Sequence, residues 1–222
     1  MGIAVVTGAN RGIGLALVRQ LRARGASLQV AAVCRHSSAE LDGLGVRVES
    51  GIDLTAPGAP ATLAARFAPD EIQLLIHNAG VLIEDARDAV KADDIRAQFE
   101  TNAVAPLLIT QALTPRLVHG AKVALITSRM GSIGDNASGG YYGYRMSKAA
   151  LNAAGVSMAR DLAPRGIAVA ILHPGAVRTG MTGGQGRLTP DESAMGLLRR
   201  IDELRIETSG RFMHQDGTPL PW

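Results

Sequence analysis

The chain has 222 residues, 46% of them hydrophobic, and a formal charge of +3. That length suits one domain with a sizeable core, or at most two small ones. Basic and acidic residues are mixed along the chain, with no Lys/Arg cluster interleaved with aromatics, which argues against nucleic-acid binding. The apolar runs are too short to span a bilayer, and the single cysteine, Cys34, excludes an internal disulfide and fits a reducing compartment. The first residues enter a strand-like run with no basic-then-apolar leader, so the expectation is a soluble, cytoplasmic protein.

Ile3-Ala-Val-Val-Thr7 is an uninterrupted apolar run with β-branched residues, the pattern of a strand buried on both faces. Glycines follow, then apolar residues at helical spacing from Ile13 to Leu21. Leu28 to Cys34 reads as the second strand and Val46 to Glu49 as the third, with a helix from Pro57 to Phe67. Ile72 to His77 is the fourth strand. Asp93 caps one long predicted helix running through Phe99, Val104 and Leu108 towards Leu117. Lys122 to Thr127 is the fifth strand. The stretch from Gly139 to Lys148 is a loop entering a helix that continues to about Leu162. Ile167 to Leu172 is the sixth strand, Pro190 to Leu204 the last helix, and Gly210 to Met213 an edge strand. Strand and helix alternate throughout, which predicts a parallel sheet with helices on both faces. No linker or repeat interrupts it. Gly183-Gly-Gln-Gly186 reads as a loop inside the domain, not a boundary.

Gly8-Ala-Asn10-Arg11-Gly12-Ile13-Gly14 joins the first strand to the first helix. Glycines there permit a tight turn and a close backbone approach to a pyrophosphate, and the helix N-terminus offers its free N–H groups to the anion. Glycine also marks ordinary turns, and the spacing departs from G-x-G-x-x-G, but strand before and helix after are the context a dinucleotide site requires. An acidic residue ending the second strand would bind the ribose of NAD, whereas a basic one accommodates the 2′-phosphate of NADP. Here Cys34 is followed by Arg35, and Arg11 can reach the same phosphate, so NADP(H) is preferred and NAD(H) remains open. Arg35 as a solvated strand-end charge is the plain alternative.

All three tyrosines, Tyr141, Tyr142 and Tyr144, fall in one stretch. Tyr144 and Lys148, four apart, stack on one helix face. An ammonium beside a phenol favours the phenolate and lowers its pKa, which makes the tyrosine a candidate proton donor or acceptor at neutral pH. The same spacing also occurs on any solvated helix, so the pair needs a site around it.

These landmarks, in this order, resemble the compact short-chain dehydrogenases/reductases from end to end. The likeness implies one NAD(P)-binding Rossmann-type domain over residues 1–222, a doubly wound parallel sheet of about seven strands. It implies that the glycine turn and Asp53-Leu54 hold the adenosine half of the cofactor, and that Asn78-Ala79-Gly80 shapes its pocket. Pro174-Gly175-Ala-Val177-Arg-Thr179 would close over the nicotinamide. Asn102 matches the structural and proton-relay asparagine, Ser128 the serine that holds the carbonyl oxygen, Tyr144 the general acid, and Lys148 the residue that tunes the tyrosine and binds the nicotinamide ribose. A narrower likeness is to small carbonyl reductases of the C-factor and Sniffer type. It rests on the Cys-Arg strand end, Ser128-Arg-Met-Gly-Ser-Ile133, Tyr144-Arg-Met-Ser-Lys148 and the ending Gly210-Arg-Phe…Asp216-Gly-Thr-Pro-Leu-Pro-Trp222.

The Ser128–Tyr144 spacing is longer than in many relatives, so Asp135 to Gly140 should form a rim loop, and Ser132 competes with Ser128, which should be better fixed at the strand end. His77 replaces an asparagine common in the family and reads as a hydrogen-bonded strand-end histidine. His36, His119, His173 and His214 lack metal-ligand spacing, so no metal is expected. The implied activity is hydride exchange between the nicotinamide and a small carbonyl or alcohol substrate. The rival readings are a nucleotide-binding sensor or signalling protein on the same fold, and a sugar-nucleotide epimerase or dehydratase of the extended branch. The missing C-terminal substrate region counts against the second. A homodimer or homotetramer is expected, with Leu107, Ala112, Ala150 and Ala154 serving either an interface or the core.

Overall fold

The computed structural model describes residues 2–222. Seven strands form one sheet: β1 (Gly2–Thr7), β2 (Leu28–Val33), β3 (Arg47–Glu49), β4 (Ile72–His77), β5 (Leu117–Ile126), β6 (Ala168–His173) and β7 (Phe212–His214), in the spatial order β3-β2-β1-β4-β5-β6-β7. All six neighbouring pairs are parallel. The connections are α1 (Gly12–Ala23), α2 (Ala39–Asp42), α3 (Ala59–Ala64), α4 (Ala92–Phe99), α5 (Ala105–Leu113), α6 (Tyr142–Leu162) and α7 (Pro190–Glu203).

Residues along each strand alternate between faces, and both faces are apolar. Val5, Val123, Leu125, Val169 and Ile171 enter the core beneath α5 and α6. Ala4, Val6, Ala124, Ile126, Ala170 and Leu172 enter the core beneath α1 and α7. This is why the strands read as continuous apolar runs. From β1 the chain winds outward through β2 and β3, then returns to place β4 on the other side of β1. Above the carboxyl ends of β1 and β4, the strand order therefore reverses and a crevice opens.

The single helix predicted from Asp93 towards Leu117 is divided. Between α4 and α5, residues 100–104 form a wide π turn in which the Ala105 N–H bonds the Glu100 carbonyl. Pro106 has no N–H to give the Asn102 carbonyl, so the ladder slips by one residue at that point. β5 begins at Leu117, five residues before the predicted start, because Leu117 pairs with Ile72 ahead of a register shift. The four-residue α2, capped by the Ser38 hydroxyl on the Leu41 N–H, is too short to show a period and is absent from the sequence reading. Of the candidate interface residues, Leu107 is exposed, whereas Ala150 and Ala154 pack against the core.

Candidate active site

The glycine turn leaves β1 at Thr7 and enters α1 at Gly12. The Thr7 hydroxyl accepts from the Asn78 and Ala79 N–H groups at 3.1 and 3.2 Å. The Asn78 amide donates back to the Thr7 and Gly8 carbonyls, each at 3.1 Å. β1 and β4 are thus stapled at their carboxyl ends. The turn is closed tightly enough to require glycine: a Cβ on Gly14 would lie 2.1 Å from the Gly8 carbonyl oxygen, and Gly8 has φ +63°. Ser38 donates to the Asn10 carbonyl at 2.9 Å and fixes the outer side of the turn. Sequence reasoning gave the side chains of Thr7 and Ser38 no role. Their signal exists only once β4 and α2 are placed beside the turn.

A cavity of about 430 Å³ runs along this crevice. Gly8, Asn10, Arg11, Gly12 and Ile13 form its floor, and Arg35, Asp53 and Leu54 one end. Two hydrogen bonds from Thr55 hold the Asp53 carboxyl below the usual carboxylate range, with a smaller contribution from the Arg35 charge. Asn78, Ala79 and Gly80 line one wall. Tyr144, Lys148, Pro174, Thr179 and Met181 close the other end. Five predicted site residues stand behind the surface rather than on it: Gly14, Asn102, Ser128, Gly175 and Val177. Gly175 has φ +86° and turns the chain against Leu188, and buried Val177 bridges to the same leucine. Tyr141 and Tyr142 lie outside the lining as rim residues, and only the Gly180–Met181 start of the glycine-rich loop reaches it.

At the closed end, Tyr144 and Lys148 are both buried on the inner face of α6. The Lys148 Nζ donates to the Ile126 carbonyl at 2.9 Å and lies 5.8 Å from the Tyr144 ring centre. Burial pushes the Tyr144 phenol up to about 12, opposed by a hydrogen bond with Ser128. Burial also lowers Lys148 to about 8. The sequence predicts a phenol drawn down by its lysine; in the folded chain desolvation raises it instead, and the opposing cause is the Ser128 hydrogen bond.

Between the two competing serines, the structure sets Ser128 against the tyrosine. Its hydroxyl also accepts from the Met130 N–H at 3.1 Å. Ser132 instead accepts from the Asp135 N–H at 3.0 Å and shapes the rim loop. Asn102 is fully buried. Its carbonyl oxygen accepts from the Val81 N–H at 2.9 Å, and its amide donates to Val81 O and Ser147 Oγ. That side chain clamps the loop after β4 to the π turn. His77 is the hydrogen-bonded strand-end residue expected: its Nε2 lies 2.9 Å from the Thr110 hydroxyl, whose own proton goes to the Pro106 carbonyl. Nε2 therefore carries the hydrogen, and burial lowers His77 to about 3. His173 is likewise lowered to about 3 by burial, its ring 5.1 Å from that of His214. Among the described residues, no group of three or more His, Cys, Asp or Glu is arranged to hold a metal, and no helix is long and apolar enough to cross a membrane.

A crevice at the switch point of a doubly wound sheet, floored by a glycine turn, is the architecture of dinucleotide-fold proteins. Residues 2–187 match the family model of the short chain dehydrogenases, and the chain belongs to that family of oxidoreductases. It is 43% identical over 228 residues to 1-hydroxy-2-glutathionyl-2-methyl-3-butene dehydrogenase of Rhodococcus sp. (strain AD45), covering 100% of both chains. It is 47% identical over 162 residues to C-signal of Myxococcus xanthus, covering 72% of this chain and 98% of that one. An NADPH-bound carbonyl reductase from chicken fatty liver superposes with a TM-score of 0.88 at 31% identity, over 100% of this chain and 98% of that one.

Proposed function

We propose that the protein is an NADP(H)-dependent carbonyl reductase in which Tyr144 is the proton donor. The observation that carries the reading is Tyr144 and Lys148 on the lining of the glycine-floored cavity, with Ser128 set behind it against the phenol. The glycine cradle, where Gly8, Gly12 and Gly14 leave the backbone open to close approach, fits a pyrophosphate. Gly8, Asn10, Arg11, Gly12, Ile13 and Gly14 form the cradle. Arg35, on the lining at the far end, suits a 2′-phosphate, and the NADPH in the similar carbonyl reductase supports that choice. Asp53, Leu54, Asn78, Ala79 and Gly80 complete the adenosine and central walls, and Pro174, Gly175, Val177 and Thr179 the nicotinamide end.

A bound nicotinamide supplies the hydride. Tyr144 gives its proton to the carbonyl oxygen as that oxygen gains charge, and Ser128 hydrogen-bonds the same oxygen and fixes its place. A phenol held at about 12 carries its proton at neutral pH, and the charge that develops on the carbonyl oxygen draws that proton across. Lys148 binds ribose hydroxyls and stabilises the phenolate left behind. Asn102 acts by holding Val81 and the π turn in place. The likeness to C-signal favours a second reading, a signalling protein on this fold with little turnover. The deciding experiment is NADPH oxidation against a panel of aldehydes, ketones and quinones, with Tyr144→Phe alongside. Turnover lost only in the variant supports the enzyme. NADPH binding without oxidation of any panel member supports the second reading. Light scattering of the same preparation tests the expected homodimer or homotetramer.

A further inference from the structure

Tyr144 stands in the first turn of α6, and that turn has no cap of its own. Tyr141, at the N-cap, is left-handed (φ 53°) and its side chain accepts no hydrogen bond from the helix. The first N–H groups of a helix lack intrahelical partners, and an unsupported first turn opens easily. Here they are taken by Asp85, which lies 57 residues before Tyr142 in sequence. Its carboxylate accepts from the Tyr142 N–H and, at 3.0 Å, from the Gly143 N–H. Its backbone carbonyl accepts from the Tyr141 N–H at 3.1 Å. A negative charge at this end of a helix is also favourable.

Asp85 is the last of three alternate residues that bind the loop after β4 to the helices around it. Val81 is held by Asn102, and the Ile83 N–H by Gln98 Oε1 at 3.0 Å. Asp85 then reaches α6. Gly143 lets these elements meet: a Cβ there would lie 2.4 Å from the Gln98 amide nitrogen and 3.3 Å from both Asp85 Oδ2 and Ile95 Cα. The loop starts at Asn78–Gly80 on the cavity wall, so one covalent segment spans from that wall to the turn bearing the tyrosine.

We propose that Asp85 is a positioning residue for the reaction: it holds the first turn of α6, and hence the Tyr144 hydroxyl, in register with the wall formed by Asn78, Ala79 and Gly80. The inference rests on Tyr144 being the proton donor. Asp85 lies off the cavity lining, so its loss should act on turnover and not on cofactor binding.

The test compares Asp85→Ala and Asp85→Asn in two measurements. One is amide hydrogen exchange over residues 141–148. The other is steady-state kinetics with NADPH and whichever panel carbonyl the unaltered protein reduces fastest. Asp85→Ala should speed exchange at Tyr142 and Gly143 by about tenfold or more and lower kcat by about tenfold, with KM and the NADPH Kd within about twofold. Asp85→Asn keeps one acceptor oxygen and should recover most of kcat. Unchanged exchange in Asp85→Ala overturns the proposal. So does a raised KM with kcat intact, which would make Asp85 a substrate contact, and so does an asparagine variant no better than alanine. If Asp85→Ala fails to fold, Asp85→Asn alone must show faster exchange and a partial kcat loss, and unchanged values overturn the idea. Turnover retained by Tyr144→Phe would sink the proton-donor reading; the exchange measurement would still judge the cap separately.

Discussion

The two ends of the crevice are built differently. The glycine turn is local: Gly8 to Gly14 are within seven consecutive positions, and the tight backbone needs little beyond absent side chains and the Thr7–Asn78 staple. The tyrosine corner is assembled from afar. Ile126 O anchors the lysine, Ser128 meets the phenol, Asn102 and Gln98 hold the loop after β4, and Asp85 caps the helix. A local device fails when atoms are added to it. An assembled one fails when any of its distant partners is removed.

The largest expected effect is at the assembled end. Tyr144→Phe removes the proposed proton donor and should lower kcat by roughly 10²- to 10⁴-fold, with NADPH affinity, followed by nucleotide fluorescence, little changed. Retained turnover would remove the corner from the chemistry. Gly14→Ala tests the local end by addition. Its Cβ would meet the Gly8 carbonyl, so the turn must open, with about 1–3 kcal/mol of stability lost in urea unfolding and NADPH binding weakened with it. Wild-type stability and binding in this variant would show that the turn is looser than its geometry implies.

Arg35→Ala should be smaller and selective. A charge-assisted bond to a phosphate is worth about 1.5–3 kcal/mol, so the preference for NADPH over NADH should fall by roughly ten- to a hundredfold. An equal loss for both cofactors would assign Arg35 to the general fold.

An effect confined to acid pH concerns His77, at the end of β4 between the two corners. Its folded pKa, about 3, lies below the ordinary histidine value of 6.5. Between those values the unfolded chain binds the extra proton, so stability falls as pH falls from 6.5 towards 3 and is unaffected above 6.5. The slope is at most about 1.4 kcal/mol per pH unit for this group. His173, also lowered to about 3, adds a second contribution of the same sign. His77→Gln should therefore flatten the decline in urea stability between pH 7 and 4.5 without abolishing it. An unchanged decline would exclude His77 as a source of acid sensitivity.

Order and kind of element were legible in the chain. In β1, Ala4, Val5 and Val6 are all buried because both sheet faces are covered, so the strand shows as an unbroken apolar run. Helical spacing returns after it, from Ile13 to Leu21, and marks where the strand has ended. The glycine turn was legible for the same reason that it is local. Tyr144 and Lys148 were legible as a pair because a helix places residues four apart on one face.

What the chain could not reveal was decided by packing. The π turn at residues 100–104 needed the Pro106 effect to be weighed against a strong helical period. Ser128 is favoured over Ser132 by its strand-end position, but its contact with the phenol exists only in the fold. The Tyr144 pKa depends on how deeply the ring is buried, which reverses the direction suggested by its lysine neighbour alone. Asp85 gives no local signal, because its partners are 57 and 58 residues away. Periodicity and turn chemistry act over a few residues, so sequence alone determined the elements and the cradle. Desolvation and long-range hydrogen bonds depend on which segments the fold brings together, so only the tertiary structure decided the surroundings of Tyr144 and the support of its helix turn.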